Sequence, residues 1–336
     1  MLNSRKNAII IEMKIPITQS ESWHKLQKAL GKTSFLTKES DFQYLAILSN
    51  TPVGNYLYCP YGPCYDTSEG FDLALSSLRR LATQHNAFFI RIEPQDPSYK
   101  NYTPKKSRTS HDLNPKETWQ LKLDSEDLQS KLPSRLLRYH KNAAKKGITI
   151  ETSHRPEDIK YLIKLQHDLA KQKGISTFSE RYLRTELAQP FATLYLVKYH
   201  PQEGAANSAS TAASNNHAEK SSEATEQILA AGLVFDDATT RYNLQGAQSD
   251  EGRKLHATGI LTIQLILDAE KKGLKTFDFW GIAPEGAGPD HPWAGFTNFK
   301  KTFDGYEQDY AGTHDIVLKP ARYKLYQILR KIRRSV

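Results

Sequence analysis

The amino-acid sequence predicts a protein of the α+β or mixed α/β class. Segments rich in β-branched and aromatic residues alternate with segments whose apolar residues recur at helical spacing. These segments follow a similar order in the two halves of the chain, which indicates a duplicated fold with a break near residues 147–151. The length of 336 residues favours two domains, each large enough to bury a core.

The strand candidates are short segments of β-branched and aromatic side chains between turn residues. Because they alternate with helices, they favour a mixed sheet over a barrel of eight repeats. The candidates are QYLAILSN, NYLYCPYG, AFFIRIEP, ATLYLVKYH, ILAAGLVFDD, TRYNLQGA and KTFDFWGI.

Three segments place apolar residues three and four positions apart, which is the pattern of a helix with one buried face. The third of these helices is expected to end near Gly273. The positions are Phe71, Ala74, Leu75, Leu78 and Leu81; Ile159, Leu162, Ile163, Gln166 and Leu169; and Ile260, Ile263, Ile266 and Leu267.

Residues 201–227 differ in composition from the rest of the chain. They consist mainly of Ala, Ser, Asn and Glu, and none has a large apolar side chain. Such a segment cannot offset the entropy lost on ordering. Because strand candidates lie directly before and after it, the sequence predicts a disordered insertion within a hairpin.

The charge balance is basic, with 46 Lys and Arg against 37 Asp and Glu, and a formal net charge of +9. This favours an anionic partner: a nucleic acid, nucleotide phosphates or an anionic membrane surface. No stretch approaches the ~20 apolar residues of a membrane-spanning helix, and the N-terminus lacks a signal-peptide pattern. The sequence therefore predicts a cytoplasmic protein with reduced Cys59 and Cys64, and leaves peripheral contact with the inner face of the membrane open.

Two basic segments are candidate interaction surfaces. The first begins at Pro133 as a predicted first helical residue and carries Arg135, Arg138 and Lys145 on neighbouring turns of one helix. This row suits RNA phosphates or, equally, a solvated helix face. The second is ARYKLYQILRKIRRSV at the C-terminus, which combines an apolar stripe with cations. Docking on the protein body is favoured for it over RNA or anionic lipid. The stripe consists of Leu325, Ile328, Leu329 and Ile332.

The sequence lacks a Walker loop, a G-x-G-x-x-G fingerprint, an H-E-x-x-H helix and a G-x-S-x-G elbow. Its eleven histidines are scattered without ligand spacing, so no metal and no cofactor are predicted. Glu93 ends a strand before a Pro-containing loop, which makes it a candidate general base. A surface or salt-bridged glutamate is the favoured alternative.

Several segments read in order are similar to the Fem family, the aminoacyl-tRNA-dependent transferases that build the interpeptide bridge of bacterial peptidoglycan. The most specific are a Y-x-x-x-G-A-x-S strand and loop, a following helix, an F-D-F-W-G-I strand and then F-K-K-x-F. They occur in TRYNLQGAQSDEGRKLHATGILTIQLILDAEKKGLKTFDFWGI and GFTNFKKTFDGYEQDYAGTHDIVLKPARYKLY, and weaker matches are TQSESWHKLQKALG, FFIRIEPQDP and PKETWQLKLDSEDLQSKLPSRLLRYHKNAAKKGITIE.

The resemblance implies two domains like the Gcn5-type acetyltransferases, packed around a shared cleft. It places residues 1–150 with 312–336 in the first domain and residues 151–311 in the second. No heptad stretch corresponds to the helical arm of some members, so the chain resembles the short form. That form implies aminoacyl-tRNA and UDP-MurNAc-pentapeptide, or a lipid-linked equivalent, as partners, and we expect a monomer.

The resemblance also implies functional residues. Lys300 matches the lysine of the F-K motif, and Tyr242 and Tyr182 match tyrosines that contact substrate. Phe178 stands where an arginine is expected, so Arg181 or Arg184 is a candidate replacement for that phosphate contact. The phosphate-binding lysine near the N-terminus corresponds to Lys28, or to Lys25.

These residues suit acyl transfer from an RNA ester to an amine. An ammonium at Lys300 would stabilise the oxyanion that develops on the ester carbonyl, most strongly where water is excluded. Trp280, Phe299 and Phe303 would supply an apolar wall. Lys301 is expected to face solvent or an RNA phosphate, and Glu93 is the candidate base that deprotonates the attacking amine.

Two other functions stay open at this point. One is an N-acyltransferase that uses acyl-CoA. The other is a non-catalytic RNA-binding protein that uses the row of Arg135 and Arg138.

Overall fold

The computed structural model describes residues 13–96, 109, 112–124, 127–173, 177–201 and 226–335. The prediction of disorder in the insertion concerns residues that lie almost wholly outside these ranges. The strands on either side of it, Ala192–Tyr199 and Gln227–Asp236, pair with each other in antiparallel fashion, as the sequence predicts.

The chain divides into two compact units. Unit 1 consists of Met1–Glu117 and Gln308–Val336, and unit 2 of Thr118–Glu307. The sequence places the boundary later, at residue 150. The difference arises because residues 118–150 contribute to the second sheet and its core: strand Glu117–Lys122 is second from one edge and pairs with strand Thr276–Gly281, and Leu136 packs against Gly259.

Unit 1 is a six-stranded mixed sheet with three helices. Its strands are β1 (Ser34–Lys38), β2 (Phe42–Thr51), β3 (Gly54–Cys59), β4 (Cys64–Tyr65), β5 (Ala87–Ile92) and β13 (His314–Val317). Its helices are α1 (Glu21–Ala29), α2 (Ser68–Gln84) and α9 (Pro320–Ser335).

The strand order in unit 1 is β1-β2-β3-β5-β13, with β4 beside β2. Strands β3 and β5 are parallel and are connected through α2, whose predicted apolar positions are buried against the sheet. Cys59 and Cys64 are free thiols within this unit, and burial raises the pKa of both.

Unit 2 is a seven-stranded mixed sheet with six helices. Its strands are β6 (Glu117–Lys122), β7 (Ile148–Ser153), β8 (Ala192–Tyr199), β9 (Gln227–Asp236), β10 (Thr240–Gln248), β11 (Thr276–Gly281) and β12 (Tyr306–Asp309). Its helices are α3 (Ser134–Lys141), α4 (Ile159–Lys173), α5 (Glu180–Leu187), α6 (Asp250–Lys254), α7 (Ala257–Lys271) and α8 (Ala294–Lys300).

The strand order in unit 2 is β12-β6-β11-β10-β9-β8-β7. Strands β10 and β11 are parallel and are connected through α6 and α7. Helix α7 packs on one face of the sheet, where Phe277 and Phe279 join the core. Helices α4 and α5 contact strands β8 to β10. The predicted mixed α/β class is therefore confirmed in each unit.

The C-terminal helix docks on the protein body, as the sequence favours, but not through its apolar stripe. Helix α9 does contact unit 1, but through Tyr323 and Tyr326, which pack against Phe88 and Phe89. The predicted apolar stripe lies on the other side of α9 and is exposed. Among the helices described, none has the length and hydropathy required to cross a bilayer.

Candidate active site

The predicted lysine lies at the C-terminal end of α8, against the segment that follows β11. Its Nζ donates a hydrogen bond of 2.6 Å to the carbonyl oxygen of Gly281. One turn earlier, the hydroxyl of Thr297 accepts from the backbone N–H of Ala283 at 2.8 Å. These two bonds attach α8 to the end of the strand and hold the ammonium of Lys300 in a defined position.

Burial lowers the pKa of Lys300 to about 8, because an ammonium loses hydration there. The carboxylate of Asp278 acts in the opposite direction and favours the charged form. At neutral pH Lys300 is therefore still mostly protonated. A cation whose pKa lies near the working pH is typical of a functional site.

Asp278 is a buried carboxylate in the middle of β11. It accepts hydrogen bonds from Gln120 Nε2 at 2.9 Å and from the hydroxyl of Thr118 at 3.4 Å. The hydroxyl of Tyr306 donates to Gln120 Oε1 at 3.0 Å and extends this network. The network fixes the carboxylate, as expected for a buried charged group that must be satisfied.

Asp278 also supports an unusual backbone conformation at Trp280. The φ angle of Trp280 is 68°, in the left-handed region, which costs on the order of 1–3 kcal/mol for a bulky residue. The backbone N–H of Trp280 donates to Asp278 Oδ1 at 2.7 Å and stabilises this turn. The next carbonyl along the chain, that of Gly281, is the one that holds Lys300.

Tyr242 contacts this site through its ring. The rings of Tyr242 and Trp280 meet edge to face, with centroids 6.4 Å apart. The hydroxyl of Tyr242 donates to Asp237 at 2.8 Å. The structure therefore brings Lys300, Trp280 and Tyr242 together within unit 2, around the end of β11.

Strand register shows that one face of the sheet is polar here. Tyr242 pairs with Asp278, which pairs with Gln120, so their side chains share a face opposite Phe277 and Phe279. A bulge between Asn243 and Gln245 keeps Gln245 on the same face, because it compensates for the odd spacing from Tyr242.

Tyr182 lies at the far end of this polar face. Gln245 donates to the buried Glu186 at 2.8 Å, and Tyr182 is hydrogen-bonded to the same carboxylate. Burial and the charge of Glu186 raise the pKa of Tyr182. The two predicted tyrosines are thus connected through Gln245 and Glu186.

Of the other predicted aromatics, Phe303 belongs to the core. It is fully buried, with its ring 4.8 Å from Phe279 and 5.6 Å from Phe299. Phe299 packs against the same core. Trp280 is the predicted wall residue that contacts Tyr242.

Glu93 lies at the end of β5 in unit 1 and is 2% exposed. The hydroxyls of Tyr58 and Thr313 donate to its carboxylate at 2.7 and 2.6 Å. The backbone N–H groups of Leu113 and Asn114 and the amide of Asn114 also donate to it. The favoured alternative of an exposed glutamate is therefore wrong, and a role as general base stays a prediction.

The predicted phosphate contacts are exposed and lie in different units. Lys28 is in the last turn of α1 in unit 1, and Lys25 lies one turn before it on the same helix. Arg181 is on α5 in unit 2, beside Tyr182, whose ring stacks on Phe178 with centroids 5.1 Å apart. Their binding of phosphate stays a prediction.

The predicted RNA-binding row is shorter than the sequence suggests. Arg135 and Arg138 are exposed on α3, but this helix ends at Lys141 and Lys145 lies on a separate 3-10 helix, Ala144–Lys146. The cause is Asn142, whose side-chain amide donates to the carbonyl of Arg138 at 2.9 Å and caps the helix.

The start of α3 and the surroundings of Lys301 also differ from what the sequence predicts. Pro133 occupies the N-cap of α3, one position before the predicted one. Lys301 lies 3.6 Å from Glu307 and over the ring of Trp119, so it has protein partners. Contact of Lys301 with RNA stays a prediction.

A pocket on the surface of unit 2 lies away from Lys300, Trp280 and Tyr242. A surface pocket of about 380 Å³ in unit 2 is lined by other residues, among them His140, Gln264 and Asp268. Within the described ranges, no group of three or more His, Cys, Asp or Glu side chains is arranged to hold a metal ion.

Sequence reasoning missed four polar residues of the site: Asp278, Gln120, Gln245 and Glu186. Asp278 offers the clearest signal in retrospect, since a carboxylate between two phenylalanines of a buried strand requires partners. The others are ordinary polar residues until pairing of the strands places them together.

Comparison with known proteins finds one matching family model and several solved structures with a similar fold. Residues 197–331, which include Tyr242, Asp278 and Lys300, match the model of the FemAB family. No curated protein matches the chain in sequence.

Three solved structures are similar to this chain in fold. FemX has a TM-score of 0.74 and 18% identity, covering 92% of this chain and 94% of its own. L-PGS from Bacillus licheniformis has a TM-score of 0.56 and 15% identity, covering 88% of this chain and 91% of its own. The C-terminal domain of a protein named as a lysylphosphatidylglycerol synthetase from Agrobacterium fabrum has a TM-score of 0.54 and 14% identity, covering 92% and 91%.

Proposed function

We propose that the chain is a member of the Fem family and that it transfers an aminoacyl group from aminoacyl-tRNA to the stem-peptide amine of a peptidoglycan precursor. The acceptor is UDP-MurNAc-pentapeptide or a lipid-linked equivalent. The observation that carries this proposal is Lys300, a cation with a lowered pKa held on the Gly281 carbonyl beside Trp280 and Tyr242.

The proposed step is an aminolysis. The amine nitrogen of the acceptor attacks the ester carbonyl of the aminoacyl-tRNA, and a carbon–nitrogen bond forms. The carbon–oxygen bond to the terminal ribose breaks. The neutral amine nitrogen loses one proton and the leaving ribose oxygen takes up one proton, so the products are an amide and a free ribose hydroxyl. Because an ester is converted to an amide, the step requires no nucleotide hydrolysis.

Lys300 is assigned to the developing oxyanion. A fixed donor at such a position typically contributes about 10²–10³ in rate. The network of Asp278 and the left-handed turn at Trp280 support its position before substrate arrives. Such preorganisation is what makes a donor effective in the transition state.

Deprotonation of the attacking amine is the second requirement. A lysine-type acceptor begins as an ammonium with a pKa of about 10.4 and must lose a proton. Two carboxylates are candidates for accepting this proton, one on the acceptor and that of Glu93, and the acceptor's is favoured because five protein donors already hold Glu93. Alignment of the two substrates can account for roughly 7–11 kcal/mol of the barrier in either case.

The binding roles follow the same proposal. Tyr242, Tyr182, Trp280, Arg181 and Lys28 are assigned to the substrates. Arg135, Arg138, Lys145 and Lys301 are assigned to the tRNA. We place the reaction in the cytoplasm and propose a monomer.

The test is a transfer assay with purified protein, a pool of charged tRNA and UDP-MurNAc-pentapeptide, read by mass spectrometry of the acceptor. We expect a mass increase of one or more aminoacyl groups that disappears in Lys300→Met and persists in the matched variant Lys301→Met. Full activity of Lys300→Met would remove Lys300 from the mechanism.

The same assay separates the alternatives. Modification with acyl-CoA in place of tRNA would identify an acyl-CoA-dependent N-acyltransferase. The name of one structural relative refers to lysylphosphatidylglycerol, so phosphatidylglycerol is included as an acceptor. Binding of tRNA that depends on Arg135 and Arg138, with no transfer to any acceptor, would identify a non-catalytic RNA-binding protein.

A further inference from the structure

Helix α9 presents an exposed apolar stripe. Leu325 is 48% exposed and Ile332 is 57% exposed, and Ile328 and Leu329 lie between them on the same face. The spacing of three, one and three residues is that of one helix face over two turns. A contiguous apolar face of this kind marks an interaction surface more often than isolated exposed side chains do.

The opposite side of α9 is anchored to unit 1. Tyr323 and Tyr326 pack against Phe89, and the hydroxyl of Tyr323 donates to Asp315 at 2.7 Å. Asp315 is itself held by a buried bidentate pair with Arg91, with both bonds at 2.7 Å. The anchor fixes the rotation of the helix, so the stripe points away from the sheet that it packs on.

Cations border the stripe. At 3.6 residues per turn, Lys324 lies on one side of it and Arg322 on the other, and both are exposed. From Lys319 to Val336 the sequence contains no Asp or Glu. The helix therefore combines an apolar face with uniformly positive flanks.

We propose that α9 binds an anionic membrane surface, lying parallel to it with the stripe at the boundary between headgroups and acyl chains. An interfacial helix requires an apolar face, basic flanks and a rotation that presents both, and α9 has all three. Anionic lipid headgroups attract the cations, and the formal net charge of +9 acts in the same direction.

Two other occupants fit less well. A second copy of α9 packed face to face would bring Lys324 and Arg322 against like charges with no acidic residue to pair them. Single-stranded RNA is typically bound by aromatic side chains with cations, whereas the stripe is aliphatic. Both occupants are outcomes that the experiment distinguishes.

The experiment measures co-sedimentation of the full chain with vesicles of phosphatidylcholine alone or mixed in equal parts with phosphatidylglycerol. We expect binding to the anionic vesicles only, weakened by salt. Leu325→Gln should weaken it roughly tenfold, because burial of a leucine is lost. Lys324→Gln should weaken it about fivefold through the loss of one charge.

The matched control is Leu73→Gln, because Leu73 is 50% exposed on α2 of the same unit. This variant should bind like the wild type, as should Lys300→Met, since vesicle binding does not depend on the proposed chemistry. Circular dichroism and thermal unfolding should show all three glutamine variants folded, because the replaced side chains are exposed.

Four results would overturn the proposal. The first is equal binding to neutral and anionic vesicles, and the second is equal binding by the wild type and Leu325→Gln. The third is a dimer in analytical ultracentrifugation that Leu325→Gln dissociates, without vesicle binding. The fourth is tRNA binding that requires the stripe, again without vesicle binding.

Discussion

Two charged side chains lie at strand ends, Glu93 at the end of β5 and Lys300 of α8 at the end of β11, and their surroundings differ. At β5, the Glu93 carboxylate accepts from two hydroxyls, two backbone N–H groups and one amide, so its oxygens already have protein partners. At β11, the environment of Lys300 lowers the pKa and thus disfavours its charged form.

This difference separates a group that stabilises a fold from one that is prepared to react. A fully satisfied charge gains little from a new partner, whereas a partly desolvated ammonium gains much from an oxyanion. The strained backbone at Trp280 strengthens the contrast, since such strain persists where the surrounding structure holds a functional geometry. The following predictions test whether the two strand ends differ as the structure indicates.

The largest effect is expected on stability at Glu93. Glu93→Ala leaves several buried donors without an acceptor, so the free energy of unfolding should fall by about 3 kcal/mol. Urea unfolding measures this loss. Transfer per folded molecule should change little for Glu93→Gln, which keeps one oxygen acceptor. A folded Glu93→Gln protein that transfers a hundredfold more slowly would instead make Glu93 the base.

The pH dependence of kcat/KM tests whether transfer requires the protonated form of Lys300. Below about pH 8 the rate should rise about tenfold per pH unit, because the acceptor ammonium is being deprotonated. Above about pH 8 it should level off, because Lys300 with a pKa of about 8 loses its own proton. The two slopes cancel there.

Lys300→Arg keeps a cation at all these pH values, so its rate, although lower, should continue to rise towards pH 10. Spontaneous hydrolysis of the tRNA ester is measured without protein and subtracted. A plateau near pH 8 in both proteins would assign the titration to another group.

The strands that sequence predicts and those it misses differ for a physical reason. Strands β2, β3, β5, β8, β9, β10 and β11 are confirmed, because buried interior strands consist of β-branched and aromatic residues. Strands β7 (ITIETS) and β12 (YEQD) lie at sheet edges, where polar side chains face water and weaken the pattern. The domain boundary was displaced because β6 was also missed.

Similar reasoning explains the site. Lys300 and Tyr242 were found through a motif, and the structure places both near Trp280. Asp278 was missed because a polar residue between Phe277 and Phe279 has the pattern of a half-exposed strand. Only pairing with β6 shows that Gln120 and Thr118 cover it. The partner of a strand can lie far away in the sequence, so a local residue pattern does not predict which side chains will cover a buried polar group.

Asp278→Asn tests whether the carboxylate of Asp278 on β11 acts on the ammonium of Lys300 on α8. The variant keeps the shape but removes a negative charge, so transfer should fall about fivefold, corresponding to roughly 1 kcal/mol. Because Asp278 raises the pKa of Lys300, its loss should lower that pKa further. The plateau in kcat/KM should then begin below pH 8. A slower enzyme with an unchanged plateau would show that Asp278 acts on the fold and not on Lys300.

The smallest effect is expected at the second attachment of α8. Thr297→Val removes the acceptor of the Ala283 N–H while keeping a side chain of similar volume, so stability should fall by about 1 kcal/mol. Transfer should change less than threefold, because the bond from Lys300 to Gly281 still holds the ammonium. Thr302→Val is the matched control, since Thr302 is exposed and its hydroxyl bonds only within its own turn. If Thr297→Val reduces transfer as much as Lys300→Met does, Lys300 depends on the position of the whole helix, and the single bond to the strand end is insufficient to place it.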